Sequence, residues 1–355
     1  MRPVTEDEMA EAVRDAGGPL VVRGGGTRGL GAPAGEVLDT GGLAGVTLYE
    51  PGALTLVARA GTPLAGLEAL LAGERQRLAF EVPDLRGLLG RGGDSTIGGV
   101  IAANASGPRR VQAGAARDFL LGVRFVDGLG RVVKNGGRVM KNVTGYDLVK
   151  LMAGSHGTLG VLTEVSLKVL PAPAAQATLV LDGLDDAQAV TAMARALGSP
   201  YDVTGAAHWP GRGTFLRIEG LAAQVAYRAG RLQALLGGTV TDPGPWDQIR
   251  DVALFHGQPG DVWRLSVKPS DAPGLVARAG ALGVLYDWGG GLVWVLVTPG
   301  SDLRARLGAF QGHATLIRGS GQPVFQPEPA PVAALTRGLR ARFDPKSIFN
   351  AGLMG

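Results

Sequence analysis

The sequence predicts an α+β protein with two main domains, on three observations. The chain has 355 residues, of which 45% are hydrophobic, and this length suits about two domains of roughly 150 residues each. Its N-terminal half alternates short strand-like segments with glycine-rich loops. From Pro171 onward, a strand–helix–strand–strand–helix order occurs twice, which is typical of an α+β domain with an antiparallel sheet.

Composition and charge exclude several classes of protein. The 58 glycines follow no G-X-Y period and are interspersed with Val, Leu and Ala runs, so a collagen-like or disordered chain fits poorly. The sequence contains no cysteine, so this chain carries no disulfide, Cys-ligated zinc or iron–sulfur cluster. The net charge is only +4, and the 35 basic residues form no long run, which argues against nucleic-acid binding.

The hydropathy pattern also bears on location. No apolar run reaches the ~18 residues of a membrane span, and the N-terminal segment MRPVTEDEMAEAVRDAGG is charged, with no apolar stretch behind it. We therefore expect a cytoplasmic protein that is not transmembrane.

A predicted helix and strand precede the glycine stretch VVRGGGTRGLG at 21–31. Thr5, with Glu8 three residues later, indicates the N-cap of an amphipathic helix, and PLVVR predicts a strand. The stretch has the G-x-G-x-x-G spacing of a dinucleotide-binding fold, but that motif requires a helix directly after it. Here Pro33, further glycines and the strand-like EVLD follow. We therefore predict a strand–loop–strand connection whose backbone amides hold a phosphate, with an ordinary turn as the alternative.

Two further glycine segments follow in the N-terminal half. VTLYEPGALTLVARAG predicts two strands with a turn at Pro51-Gly52, and TPLAGLEALLAG predicts a helix with Gly73 after its end. STIGG at 95–99 opens an Ala-rich stretch that predicts a short helix, with hydroxyls and glycine amides as a second anion-binding element. A predicted helix from about Gly145 to Met152, a glycine loop and the strand VLTEVSLKVL form the third segment.

These three segments, in this order, resemble the FAD-binding domain of the vanillyl-alcohol oxidase, or p-cresol methylhydroxylase-type, superfamily. There the first two segments hold the pyrophosphate, and the GSxGTLGV loop lies along the adenine and ribose. Four stretches are similar, more narrowly, to the FAD-binding E subunits of bacterial glycolate oxidases: SGPRR, RDFLLGVRFVDGLGRVVKNGG, VMKNVTGYDLVKLMAGSHGTLGVLTEVSLKVLPAP and FDPKSIFNAGLM. The superfamily resemblance covers about residues 18–172 and the last dozen.

The resemblance implies a domain plan and a set of FAD contacts. The plan is a two-subdomain p-cresol methylhydroxylase-type FAD-binding domain over 1–172, an α+β antiparallel-sheet cap domain over 173–325, and a C-terminal helix and tail over 326–355 that return to the FAD domain. The first pyrophosphate loop would comprise Arg23, Gly24, Gly25, Gly26, Thr27 and Gly31. The second segment would contribute Thr96, Ile97, Gly98, Gly99, Asn104 and Gly107. The third would contribute Gly154, Ser155, Gly157, Thr158, Gly160 and Val161.

Histidines bear on how FAD is held and on whether a metal is bound. Covalent members of the superfamily attach their flavin to a histidine in the first or second segment, and neither segment has one here, so we predict non-covalent FAD. Catalytic relatives build a metal site around an HxGDGN-like stretch, which this chain lacks. Since no histidine is paired at a ligand spacing, we predict no metal site and a surface or core role for His156, His208, His256 and His313. His156 stands where many relatives have Glu. The sequence assigns no catalytic residue.

After the PAPAAQ linker come the two repeated units, which the resemblance makes a cap over the flavin ring. The first unit runs from ATLVLDGL to AAQVAYRAGRLQALLGG, and the second from DVWRLSVK to DLRARLGAF. The last segment predicts an amphipathic helix ending near Phe343, with Asn350 either packed at the C-terminus or near the flavin. All five tryptophans fall in this middle region, and we expect core packing for them, with a ring near the flavin as the alternative: Trp209, Trp246, Trp263, Trp288 and Trp294.

The stretch VMKNVTGYDL holds Lys141, Asn142 and Tyr146. A buried Lys or Tyr could neutralise the reduced flavin or orient a carboxylate. The alternative is that Tyr146 and Asp147 cap or pack the helix that follows.

The resemblance implies a flavoprotein subunit of a glycolate (2-hydroxy acid) oxidase complex. Electrons would pass from FAD to a cysteine-rich iron–sulfur partner, beside a larger FAD-linked subunit, with any contact to the inner membrane made through partners. Two alternatives stay open: a non-catalytic FAD-binding assembly or relay subunit, and a stand-alone FAD-dependent 2-hydroxy acid dehydrogenase. We expect Gly25→Asp to abolish FAD binding through side-chain clash and repulsion of the pyrophosphate.

Overall fold

The computed structural model describes residues 1–138 and 145–354. The N-terminal region alternates strands with short helices. Its strands are β1 Leu20–Arg23, β2 Glu36–Asp39, β3 Val46–Glu50, β4 Thr55–Arg59, β5 Gln76–Arg77, β6 Leu120–Val126, β7 Val132–Gly136, β8 Val161–Lys168 and β9 Leu170–Pro171. Its helices are α1 Glu6–Arg14, α2 Leu64–Gly73, α3 Arg86–Leu89, α4 Ile97–Ala102, α5 Arg110–Ala113 and α6 Leu148–Met152.

Two sheets organise this region. β1 and β2 pair in parallel, and the other sheet has the antiparallel order β3-β4-β8-β6-β7. The apolar faces of α2 and α4 pack with the five-stranded sheet in one core that includes Leu67, Val100 and Val165. The first glycine loop follows β1, the second leads into α4 and the third leads into β8, so these packed elements fix the position of all three.

The C-terminal tail returns to the parallel pair. Leu20 of β1 donates its backbone N–H to the carbonyl of Ile348 at 2.7 Å and accepts a hydrogen bond from the amide of Asn350 at 2.9 Å. Ile348 and Phe349 are buried in a core with α1 and both strands of the pair. The tail therefore completes the sheet beside which the first glycine loop begins.

The middle region forms one eight-stranded antiparallel sheet in the order β13-β10-β12-β11-β15-β16-β14-β17. Its strands are β10 Ala175–Leu181, β11 Val203–Trp209, β12 Gly213–Gly220, β13 Thr239–Thr241, β14 Asp261–Val267, β15 Gly283–Asp287, β16 Leu292–Val297 and β17 Gly312–Arg318. Its helices are α7 Asp186–Leu197, α8 Ala222–Leu236, α9 Trp246–Arg250, α10 Ala272–Ala279 and α11 Leu303–Leu307, and α12 Ala330–Phe343 follows the sheet.

The predicted α+β class and the repeated order of elements are confirmed. The first unit is β10-α7-β11-β12-α8 and the second is β14-α10-β15-β16-α11. Each unit is followed by an edge strand that the sequence analysis did not predict, β13 and β17. The sheet order 13-10-12-11 is matched by 17-14-16-15 in the other half, so the two units meet at β11 and β15. The boundary placed at 172/173 falls between β9 and β10 and stays a proposal.

A buried ion-pair network joins the two regions. Arg217 on β12 donates to both oxygens of Glu81, at 2.7 and 2.8 Å. Arg109 donates to both oxygens of Glu219 on β12, at 2.9 and 2.6 Å, and Arg77 donates to one of them at 2.8 Å. Such a pair is costly to break, because the remaining partner would be a buried charge without a counterion. The network therefore fixes the sheet of the middle region against the glycine loops.

Three details of the predicted helices need correction or comment. Thr5 caps α1 as predicted, accepting from the amide of Glu8 at 3.2 Å. The helix predicted from Gly145 begins at Leu148, because the Asp147 carboxylate caps it by accepting from the amide of Lys150. α2 runs through Gly73 rather than ending before it.

None of the helices in the described ranges combines the length and apolar character needed to cross a membrane.

Candidate functional site

The first glycine loop leaves β1 and lies against the segment that precedes α4. A Cβ added at Gly25 would fall 1.5 Å from the backbone carbonyl oxygen of Asp94, and one at Gly24 would fall 2.3 Å from Thr96 Oγ1. Gly26 has φ +70°, a conformation that favours glycine. Side chains are therefore excluded where the first two segments touch.

The second segment is the start of α4. Thr96 caps the helix, its Oγ1 accepting from the amide of Gly99 at 3.4 Å. Gly98 approaches β4 closely, since its amide donates to the carbonyl of Ala60 at 2.7 Å and a Cβ there would lie 2.7 Å from that residue's Cβ. A Cβ at Gly99 would meet only Thr96 Oγ1, at 3.3 Å. One face of this helix start is therefore packed, and the face at Gly99 is open.

The third segment precedes β8 and is tied to the second. The amide of His156 donates to the carbonyl of Ala102 at 2.9 Å, and the hydroxyl of Thr158 donates to the carbonyl of Ser155 at 2.7 Å. Asn350 from the tail donates to the carbonyl of His156 at 2.8 Å and accepts from the amide of Val22 at 2.9 Å. The tail thus connects the first segment to the third, which places Asn350 beside the site.

The three segments line one open cavity of about 130 Å³; we call it the glycine cradle. Eleven of the residues expected to contact FAD line it: Arg23, Gly24, Gly25, Gly26, Thr27, Thr96, Gly98, Gly99, Ser155, Gly157 and Gly160. Within the described part of the chain, the amides of Gly25 and Gly26 donate to no protein acceptor. Unpaired amides on a concave surface are suited to bind an anion such as a pyrophosphate.

The other expected contact residues lie elsewhere. Gly31 lines the outer mouth of the cradle, and Asn104 and Gly154 line a second cavity described below. The side chains of Ile97, Thr158 and Val161 are buried, and the carbonyl of Gly107 accepts from Trp288. These last four residues support the site by packing and line neither cavity.

Sequence reasoning missed several residues of the cradle wall. Val22, Arg28, Gly29, Thr40, Ala60, Ala102, Ala103, His156 and Leu162 also line it. Val22, Arg28, Ala103, His156 and Leu162 lie next to predicted contacts in the sequence, so position was an available signal for them. Thr40 and Ala60 follow β2 and β4 and reach the wall only through the fold. Arg28 is the one with a charge: it donates to Ser95 Oγ and to the carbonyl of Pro83, and burial lowers its pKa to about 10. The guanidinium is still protonated at neutral pH.

A second cavity of about 310 Å³ adjoins the cradle and lies between the two regions; we call it the interdomain cavity. Arg28 and His156 line both cavities. The N-terminal region contributes Asn104, Ser106, Arg110 and Gly154, and the middle region contributes Arg264, Ser266, Trp288, Trp294, His313, Thr315 and Phe325. The glycine cradle therefore opens toward a chamber with basic, hydroxyl and aromatic walls.

Strained backbone occurs where the two regions face this chamber. Asn104, His156 and Trp288 all have left-handed backbone conformations, with φ of +46°, +51° and +53°. Such conformations cost on the order of 1–3 kcal/mol for residues other than glycine and often occur at functional sites. They suggest that the wall of this chamber is held in a defined shape.

The histidines of the site are held neutral. Burial, followed by the charge of Arg264, lowers the pKa of His156 to about 4. Burial, with the charges of Arg264 and Arg110, also lowers the pKa of His313. Among the described residues there is no group of three or more His, Asp or Glu side chains that could hold a metal ion.

Tryptophans and the other singled-out residues are placed as follows. Three tryptophans are buried, as the packing prediction expects: Trp246, Trp263 and Trp294. Two tryptophans line the interdomain cavity, Trp288 and the buried Trp294. Tyr146 is 89% exposed, so its side chain does not pack on the helix that follows. Lys141 and Asn142 lie outside the described residues.

Comparisons with known proteins agree with this architecture. A family model described as an FAD-binding domain matches residues 1–136. An Escherichia coli protein named glycolate oxidase subunit GlcE is 38% identical over 98% of this chain and 95% of its own length. A Bacillus subtilis protein named glycolate oxidase subunit GlcD is 43% identical over 24% of this chain and 18% of its own. A solved structure of alkyldihydroxyacetonephosphate synthase has a TM-score of 0.72 and 17% identity, covering 99% of this chain and 76% of that one, which shows the shared fold.

The FAD-binding family model covers the first two glycine segments of the cradle, and together with the match to an oxidase subunit it defines an FAD-dependent oxidoreductase. The match to GlcE extends over nearly the whole length of both proteins. The chain belongs to the family of glycolate oxidase subunit GlcE.

Proposed function

We propose that this chain holds FAD non-covalently in the glycine cradle and oxidises a 2-hydroxy acid, with glycolate as the first candidate, as one flavoprotein subunit of a complex. The observation that carries the proposal is the convergence of three glycine segments on one cavity that opens into the interdomain cavity. A long, two-part ligand with an anionic middle fits this shape. The relative named as a glycolate oxidase subunit supports the choice of substrate.

The cradle residues would hold the pyrophosphate. The unpaired amides of Gly25 and Gly26 supply hydrogen-bond donors, and the absence of side chains there allows the backbone to approach closely. Thr27 and Ser155 bring hydroxyl groups to the same wall. We keep the eighteen residues expected from the sequence as the proposed FAD contacts, with those that line the cradle as its direct part.

The interdomain cavity would hold the substrate. Bound FAD would supply an acceptor for the hydride that the α-carbon of the substrate loses, and it could release the electrons one at a time. The imidazoles of His156 and His313 are neutral at working pH because their pKa values are lowered. A neutral imidazole at this wall can accept the proton of the substrate hydroxyl.

The electrons would leave to partners. We propose a larger FAD-linked subunit of the GlcD type, which the subunit names of the two relatives support. We also propose a cysteine-rich iron–sulfur subunit, because this chain has no cysteine to hold such a cluster itself. The complex would be cytoplasmic, with any contact to the inner membrane made through these partners.

Co-expression with the GlcD-type and iron–sulfur subunits tests this proposal. We expect the three chains to purify together and to reduce an artificial electron acceptor with glycolate. A chain that purifies without FAD, or a complex that forms and turns over equally well without this chain, would contradict it.

A relay role is the second candidate, because the similarity is to one named subunit of an oxidase. In that case the GlcD-type subunit would oxidise glycolate, and FAD in this chain would only transfer electrons. The two candidates differ in whether glycolate alone reduces the FAD of the isolated chain.

A further inference from the structure

Besides Arg28, two arginines that form no direct ion pair with the described residues face the interdomain cavity, Arg110 and Arg264. The guanidinium carbon of Arg110 lies 4.5 Å from the ring centroid of Trp288, and that of Arg264 lies 5.2 Å from the same ring. Arg110 belongs to α5 of the N-terminal region and Arg264 to β14 of the middle region. The indole thus brings together two positive charges from opposite sides of the cavity.

Within the described residues, neither guanidinium lies within ion-pair distance of a carboxylate, and no Asp or Glu side chain lines the cavity. Arg264 is partly buried, and its loss of hydration together with the charge of Arg110 lowers its pKa to about 10, so it stays protonated at neutral pH. The nearby carboxyl of Asp287 accepts from the amide of Trp288 at 2.7 Å, and burial raises its pKa to about 7. A partly desolvated cation without a direct ion-pair partner is stabilised by a ligand that supplies the negative charge.

The indole is held in place by both regions. Its N–H donates to the carbonyl of Gly107 at 3.0 Å, and the backbone of Trp288 is left-handed, with φ +53°. A left-handed bulky residue is strained and persists only where its surroundings fix it. Both guanidinium groups stack on this indole, so its fixed position also determines theirs.

We propose that Arg264, together with Arg110, binds the carboxylate group of the substrate on the wall formed by Trp288. This inference rests on the proposed function, whose substrate is a 2-hydroxy acid. A guanidinium fork matches the two oxygens of a carboxylate, and Ser266 and Thr315 bring hydroxyl groups to the same cavity. The site would favour small carboxylates over neutral alcohols of the same size.

Oxalate, a small dicarboxylate that cannot lose a hydride, is the probe. The FAD-loaded chain is titrated with oxalate, and with the neutral oxamide, while the flavin absorbance and the heat of binding are recorded. Arg264→Met removes the charge and Arg264→Lys keeps the charge without the fork. Arg212→Met is the matched control, because Arg212 also stacks on an indole, that of Trp209 at 4.4 Å, and lines neither cavity.

We expect oxalate to bind the wild-type chain and the Arg212→Met variant equally, and oxamide to bind neither. Arg264→Met loses charged hydrogen bonds to oxalate, so its dissociation constant for oxalate should rise by about 10- to 150-fold. The dissociation constant of Arg264→Lys should lie between those of the wild type and Arg264→Met. FAD content and thermal stability should stay at the wild-type level in all variants.

Four results would overturn the inference. One is that the wild-type chain does not bind oxalate, and another is that Arg264→Met binds it with unchanged affinity. The third is that Arg264→Met loses FAD, which would assign the guanidinium to the cofactor. Inorganic phosphate that binds as tightly as oxalate would also contradict a carboxylate site. The proposed flavoprotein function is judged separately, by FAD content and by turnover of the assembled complex.

Discussion

Gly99 offers the sharpest test of the glycine cradle. It is the third residue of α4, lines the cradle, and would place a Cβ in open space apart from Thr96 Oγ1 at 3.3 Å. Gly99→Ala therefore puts a methyl group on the wall that is proposed to face the cofactor. The protein fold around it needs no large adjustment.

The expected magnitudes have opposite signs for folding and for binding. Replacing a helical glycine by alanine stabilises a helix by about 0.5–1 kcal/mol, so the FAD-free variant should be at least as stable as the wild type. Overfilling a well-packed contact costs about 1–3 kcal/mol. If that cost falls on the bound state alone, the dissociation constant of FAD should rise by roughly 5- to 150-fold.

Gly66 provides a matched control. It is the third residue of α2, a Cβ there would meet nothing within 4 Å, and it lines neither cavity. FAD-free protein is titrated with FAD by fluorescence quenching, and thermal unfolding is measured on the same samples. Gly66→Ala should gain stability with unchanged FAD affinity. If Gly99→Ala binds FAD as tightly as Gly66→Ala does, the cofactor does not contact this part of the cradle.

Three further predictions follow from particular contacts. Gly25→Asp should purify without FAD, because its Cβ would fall 1.5 Å from the carbonyl oxygen of Asp94 and displace the loop. This backbone clash adds to the repulsion of the pyrophosphate, and a variant that purified with full FAD content would contradict the prediction. Burial raises the pKa of Glu219, but the hydrogen bond from Arg109 and the charges of Arg217, Arg109 and Arg77 outweigh it and lower the pKa from 4.5 to about 2. The ionised Glu219 carboxylate should contribute fully to stability above pH 4.5, and this contribution should be lost as the pH falls toward 2. Glu219→Gln should cost about 3 kcal/mol at pH 7, and its free energy of unfolding in urea should change less between pH 4.5 and 2 than that of the wild type. Identical pH profiles would refute this. Acid precipitation should release all flavin to the supernatant, whereas flavin retained in the pellet would show covalent attachment.

The sequence was informative where local chemistry determines structure. Thr5 and Thr96 cap helices as their positions indicate, and the apolar periodicity of the middle region predicts both repeated units. Gly25 and Gly98 are glycines for a steric reason that the structure makes explicit, since other chain segments lie within 3 Å of their Cβ positions. Patterns of this kind depend on a few neighbouring residues, and a single sequence carries them.

The interdomain cavity could not be predicted in the same way. Arg110 and Arg264 are 154 positions apart, as their numbers show, and they meet on Trp288 only through the packing of two regions. The edge strands β13 and β17 were missed because their pairing partners lie elsewhere in the chain. His156 was assigned a surface or core role, although it lines both cavities. Long-range contacts decided each of these cases.

The most direct measurement is the visible spectrum of the isolated, FAD-loaded chain, recorded without oxygen before and after glycolate is added. The account predicts that the band near ~450 nm of oxidised flavin bleaches, because this chain carries both the glycine cradle and a cavity for the substrate. An unchanged spectrum, from a chain whose flavin is still reduced by dithionite, would contradict substrate oxidation here and leave the relay role.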